Sequence, residues 1–217
     1  MKNPLKSSSE TNLPWWRREL RFLDRALNPL SRGLMLVAAV LFALVVLFPL
    51  WRITLVAPQY QEGLRLTIYA YQLVGGNGGQ DLVEINNLNH YIGMKPIEES
   101  DFVEITWLPF VLGIFVILSL RAAVLGRISQ VIDILVLFTY LGLFSLGLFY
   151  HRLYTYGHDL DPKAPMTIEP FTPVIIGKNK IANFVQWSYP SVGGWLMLLI
   201  PVVLVLAVWF SRKGRRA

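Results

Sequence analysis

Four apolar runs, about Gly33–Trp51, Ile105–Leu120, Ile128–Tyr150 and Val192–Phe210, constrain this chain more than any other feature. Each approaches the roughly 20 residues that cross a hydrocarbon core about 30 Å thick. The sequence therefore predicts a four-helix integral membrane protein rather than a soluble domain. Direction comes from the charges. Lys2, Lys6, Arg17, Arg18, Arg21, Arg25 and Arg32 precede the first run, Arg121 and Arg127 flank the turn after the second, and Arg212, Lys213, Arg215 and Arg216 close the chain. Four crossings put all three clusters on one side, predicting both termini in the cytoplasm.

The domain plan follows. Residues 1–13 are expected to be disordered, 14–30 a surface helix, 33–51, 104–121, 128–150 and 192–210 the spans, and 211–217 a basic cytoplasmic tail. Residues 52–103 and 151–191 form the two extracytoplasmic segments. Hydrophobic residues at 54% and charged ones at 16% suit a small polytopic protein. The formal charge of +6 sits in clusters beside the spans, so it reads as an orientation signal and a lipid attraction, with no nucleic acid as partner. The absence of cysteine excludes disulfides, thiolate metal sites and cysteine nucleophiles.

The stretch PWWRRELRFLDRALNPL puts Trp15, Trp16, Leu20, Leu23 and Leu27 largely opposite Arg17, Arg18, Arg21 and Arg25. Such a helix lies on a membrane surface, with Trp15, Trp16, Arg17 and Arg18 as anchors, or docks on a partner subunit. Asn28 and Pro29 then turn the chain inward. Trp107, Trp187, Trp195 and Tyr150 are expected at the outer interface and Trp209 at the inner one. Ala39 with Ala43 and Ser119 with Ala123 are small-residue pairs that let helices approach closely.

In the first outer segment, RITLVA and LRLTIYAY alternate as strands around the turn-forming APQYQEG, which predicts a hairpin rising from the first span. GGNGGQD reads as a flexible tether, since no Gly-Lys-Ser/Thr completes a phosphate loop and no helix is clearly opened there. The second outer segment is rich in proline, and its VIIG could add a short strand to that hairpin. The two segments together would make a small, mainly β domain.

Three constellations could carry chemistry. In NHYIGM, His90 and Met94 stand four apart, and on a helix they could share one face and hold a single copper ion, with His158, Met166 and His151 available from the other segment. The competing reading makes Met94 a gap filler and leaves His90 bonded to backbone. Asp133, inside the third span near Arg121 and Arg127, reads as one half of an interfacial ion pair rather than a proton relay. Glu98, Glu99, Asp101 and Glu104 read as a solvated acidic face that starts the second span. No nucleophile elbow or H-E-x-x-H motif occurs, so no catalytic residue is assigned and the chain reads as a non-enzyme.

The strings FPLWRITLVAPQYQEGLRLTIY, INNLNHYIGMKPI, YGHDLDPKAPMTIEPFTPVIIG and IANFVQWSYPSVGGW resemble stretches of bacterial inner-membrane proteins that accompany the copper-handling and assembly machinery of nitrous-oxide-reductase-type enzymes. The resemblance implies an accessory or metallation role in the bacterial envelope, and matches His90, Met94, His158 and Met166 to positions such a role could use. Two functions stay open. One is transient copper handling at those four residues. The other is a scaffold gripping a protein partner on the extracytoplasmic face through Tyr60, Tyr69, Tyr71, Tyr91, Phe171, Phe184 and Trp187.

Overall fold

A computed structural model of the chain describes residues 22–181 and 183–213. The expected disordered segment and most of the surface helix, including the anchors Trp15, Trp16, Arg17 and Arg18, lie outside them, as does most of the basic tail. Among the described residues, four helices are long and apolar enough to cross a membrane: α1 (Pro29–Leu47), α3 (Val103–Leu125), α4 (Ile128–His158) and α5 (Val192–Lys213). Between α1 and α3 come β1 (Trp51–Ala57), β2 (Tyr60–Ile68), β3 (Leu73–Gly75) and α2 (Gln80–Tyr91), and between α4 and α5 come β4 (Gly177–Ile181) and β5 (Phe184–Pro190).

Local chemistry sets the ends of these elements. Asn28 caps α1 by accepting from the Ser31 backbone N–H at 2.7 Å, and Pro29 occupies the first turn, where a missing N–H costs nothing. The first helix thus begins before the expected Gly33. It also stops before the expected Trp51, which instead opens β1, because the run of β-branched residues after Pro49 favours pleated backbone. Gly126 ends α3 in a left-handed conformation (φ 68°), and the Arg32 guanidinium lies only 2.4 Å from where a Cβ would stand. A larger residue there would be strained at that angle and would displace the Arg32 guanidinium.

Within the bundle, α1 packs chiefly against α5 and α3, while α4 is the outermost helix, with 17% of its apolar window buried against 33% in each of the others. Phe42, fully buried, stacks on Phe115 at 5.1 Å and meets Phe138 edge-on at 5.0 Å. Ser31, Met35, Ala38, Phe42 and Val45 form the buried stripe of α1 at helical spacing. Ser119 and Ala123 are buried as a close-approach pair should be, but Ala43 is exposed, so the expected pairing of Ala39 with Ala43 does not form. At one end of the bundle the Ser31 hydroxyl donates to the Ala207 carbonyl at 2.6 Å, and the Asn28 amide donates to the Phe210 carbonyl at 3.1 Å. Leu27 donates to the Gly126 carbonyl there too, which gathers the start of α1, the α3–α4 turn and the end of α5.

At the opposite end the two intervening segments build one antiparallel sheet of order β3-β2-β1-β5-β4. The expected hairpin is present as β1 and β2. β5 pairs with β1 over nearly its whole length, from Trp51 opposite Pro190 to Val56 opposite Val185. The segments are therefore a single folded unit. The strand expected at VIIG, residues 174–177, does not form; the ladder starts only at its last residue and runs over Gly177–Ile181. α2 covers the inner face, with Ile85 1% exposed beneath Leu55, Leu64 and Leu66.

Candidate functional site

The domain above the bundle is held up by α4. Its 31 residues span about 46 Å at 1.5 Å each, well past the roughly 30 Å of a hydrocarbon core. The helix runs eight residues beyond the expected end at Tyr150 and carries Arg152, Tyr156 and His158 into the domain. Arg152 donates to both carboxylate oxygens of Glu104 at 3.1 and 3.0 Å and lies 4.6 Å over the Phe102 ring. The Tyr156 hydroxyl donates to Asp101 at 2.9 Å, and Glu99 accepts from the Leu73 backbone N–H at 2.7 Å. The acidic run is exposed at Glu98, Glu99 and Asp101, as expected, but it is not only solvated: Glu99, Asp101 and Glu104 also bond to β3 or α4. The sequence hid this because their partners lie about 26 to 55 positions away.

The glycine segment is corrected as well. Asn77–Gly79 forms a 3-10 turn and α2 opens directly after it. Buried Asp81 accepts from the Arg65 backbone N–H at 2.8 Å and the Asn77 amide at 2.7 Å, and a Cβ on Gly76 would stand 2.2 Å from its carboxylate. The loop wraps an internal carboxylate, so it is neither a tether nor a phosphate cradle.

The proposed copper ligands are gathered only in part. Met94 and Met166 both pack against the inner apolar cluster of the domain, and the Met166 backbone N–H donates to the Tyr91 carbonyl at 3.1 Å. His90 is exposed on α2. The His158 ring stacks on Tyr154 at 3.8 Å, with Nδ1 3.0 Å from the Tyr154 carbonyl oxygen. No group of three or more His, Cys, Asp or Glu capable of holding a metal occurs among the described residues. The three histidines do share one end of the molecule, because Asp161 and Met166 bond back to Gly93 and Tyr91.

Asp133, Arg121 and Gln130 line one recess between α3 and α4. The expected ion pair does not close: the ion pairs among the described residues are Lys95–Asp159 and Arg152–Glu104. Helix geometry explains this, since Arg121 stands more than a turn from the end of α3 and Arg127 is the N-cap of α4, outside the helix that carries Asp133. Trp195 is 62% exposed at the sheet end of α5, as an interface anchor would be, whereas Trp107 turns partly inward against Phe144.

Two features of the domain were not singled out in the sequence. The first is the outward face of the sheet. Arg65, Thr54, Trp187 and Lys178 stand opposite one another across β2, β1, β5 and β4 in a single row, flanked by Arg52 opposite Tyr189 and by Lys180 opposite Val185. The Lys178 ammonium lies 4.9 Å over the Trp187 ring. The one carboxylate on the strands is the exposed Glu62, in the irregular stretch at the start of β2, outside that row. Of the aromatics expected to grip a partner, Phe184 and Phe171 instead face the core, while Tyr71, Tyr91 and Trp187 are exposed, joined by Tyr189. The period-two pattern of FVQWSY held this signal.

The second is a cavity of about 80 Å³ between the inner sheet face, α2 and the upper end of α4. Its walls are almost wholly carbon. Asn89 and Gln186, only 4% and 5% exposed, are among the residues around it, and their Nδ2 and Oε1 atoms are buried without a hydrogen-bond partner. A buried polar group left in that state costs about 1–3 kcal/mol.

No protein-family model matches this chain, and neither a curated protein nor a solved structure matches it.

Proposed function

We propose that this chain is a non-enzymatic accessory protein of the bacterial cytoplasmic membrane, with both termini cytoplasmic and the composite β domain extracytoplasmic. In this reading it docks an acidic partner of the machinery that handles copper for, or assembles, an exported metalloenzyme. The outward sheet face supports the docking role. Four cations and two exposed aromatics stand on a sheet rigidified by five strands, and such a face favours a carboxylate-rich surface through charge complementarity and aromatic anchoring. The orientation rests on the arginines gathered at the other end of the bundle, following the positive-inside tendency.

Mild-detergent purification from native membranes tests it. An acidic partner is expected to co-purify at fixed stoichiometry and to be released when Arg65→Glu is combined with Lys178→Glu, with the sheet left folded. A partner retained by that double variant, or none at all, overturns the reading.

A second reading, transient copper binding, draws on Met94 and Met166 sharing one cluster beneath the helix that carries His90. Thioether sulfurs suit the cuprous ion. Copper titration of the purified chain should then show stoichiometric binding that disappears when His90 and Met94 are replaced together.

A further inference from the structure

We infer that the recess between α3 and α4 binds a phospholipid whose head group joins a phosphate to a primary ammonium, the phosphoethanolamine type. Arg121 and Asp133 line this recess of about 510 Å³ together. Both residues are exposed, and neither has a hydrogen bond or ion pair among the described residues. Ionisable side chains within a span ordinarily face the bundle interior, a water-filled cavity or one another. Asp133 is instead exposed on the outermost helix, five residues past Ile128 and so about 8 Å inside the start of α4. Arg121 stands four residues, about 6 Å, before the end of α3. Its long side chain can reach back toward the interface along its methylenes. A carboxylate on a single methylene cannot, so its counter-group has to come to it.

Charge complementarity selects the occupant. The recess presents one cation and one anion that do not pair with each other, so a group of a single sign satisfies one and opposes the other. A purely anionic head group answers Arg121 and is repelled by Asp133, and a basic residue on a neighbouring membrane helix does the reverse. A phosphate joined through two carbons to an ammonium carries both signs. Its phosphate oxygens accept from the Arg121 guanidinium, and its ammonium donates to the Asp133 carboxylate. A choline head has the same charges but no N–H, so it loses the second of these bonds. The rest of the lining is apolar in Leu118, Val136 and Leu137. Ile117 and Ile114, both exposed, stand four and seven positions before Arg121 on the same face of α3 and continue that surface for the acyl chains.

The inference needs the bundle to sit in a bilayer but neither a given direction nor a partner on the sheet, so it stands or falls apart from the docking reading. The test uses the full chain in detergent, titrated separately with ethanolamine, choline and glycerol phospholipids of identical acyl chains and followed by native mass spectrometry. One ethanolamine lipid per chain is expected, held at least tenfold more tightly than either of the others. Asp133→Asn should bring it down to the level of the choline lipid, and Arg121→Gln should weaken both. Lys163→Gln, at an exposed position in the outer domain, should change nothing. Equal retention of the three lipids by the unsubstituted chain overturns the inference and leaves the recess to ordinary solvating lipid or to a basic residue of another membrane helix. Tightest retention of the glycerol lipid overturns it in favour of an anion site at Arg121 alone. An ethanolamine preference that survives Asp133→Asn overturns it as well.

Discussion

Ser188 is fully buried, accepts from the Trp51 indole N–H at 2.8 Å and donates to the Ile175 carbonyl at 2.7 Å. It joins the first residue of β1 to the strand before α5. Ser188→Ala strands a donor and an acceptor, for an expected loss of about 1–3 kcal/mol in a denaturation measurement. Arg152 and Glu104 are about four-fifths buried, 22% and 20% exposed, so Glu104→Gln leaves a cation with half its compensation. The expected cost is on the order of 2 kcal/mol, between the values for exposed and fully buried pairs, and a double variant with Arg152→Met should recover part of it. Glu84 gives a pH signature. The Tyr60 hydroxyl, and then Gln80 and Asn87, hold its carboxyl below the usual range. A folded value below the unfolded one means stability present above the unfolded pKa, about 4.3, and lost as pH falls through the folded value. Protection factors of the α2 amides, which correct for the intrinsic slowing of exchange in acid, should fall on acidification through that window, and Tyr60→Phe should remove most of the change.

Among the elements, α4 has the greatest reach. Its length lets Gly157 touch the second segment, where the Phe171 N–H donates to the Gly157 carbonyl and a Cβ on Gly157 would fall 1.8 Å from the Phe171 carbonyl oxygen. Gly157→Ala is therefore expected to push the 160–175 stretch off the helix, at the roughly 1–3 kcal/mol typical of overpacking, with faster proteolysis of that stretch as the readout. The sheet makes a complementary demand. Val56 and Val185 are register partners in β1 and β5, and the native chain holds no cysteine. Replacing both with cysteine should join the two segments by an oxidant-dependent cross-link, visible as one band after cleavage between α3 and α4. Failure to cross-link would mean that the segments do not share a sheet.

At the scale of the whole molecule, one end is a basic cap and the other a folded domain, and the two are coupled through the helices. Phe48 and Leu50 at the end of α1 pack on Gly193 and Gly194 at the start of α5, where would-be Cβ atoms meet the Phe48 and Leu50 carbonyl oxygens at 2.6 and 2.4 Å. The sheet is thus seated directly on the two most closely packed helices. A single cysteine at Gln61 and another at Ser129 should label from opposite sides of an intact membrane, the first from outside. Labelling of both from one side would end the proposed topology.

What the sequence determined by itself was everything carried by local periodicity and charge: four apolar helices, a hairpin after the first, the Asn28–Pro29 turn and the arginine end. Such signals are short-range, because they depend on residues a few positions apart on one helix face or one strand. The tertiary structure alone decided the β1–β5 pairing, the partners of Glu99, Asp101 and Glu104, the wrapping of Asp81 by its glycines, and the placing of Asn89 and Gln186 around one cavity. Each of these joins residues far apart in the chain, or turns on a backbone approach with no compositional trace. The same separation explains the copper ligands: helical spacing put His90 and Met94 near each other, but packing drew Met94 toward Met166 and left His90 in the open.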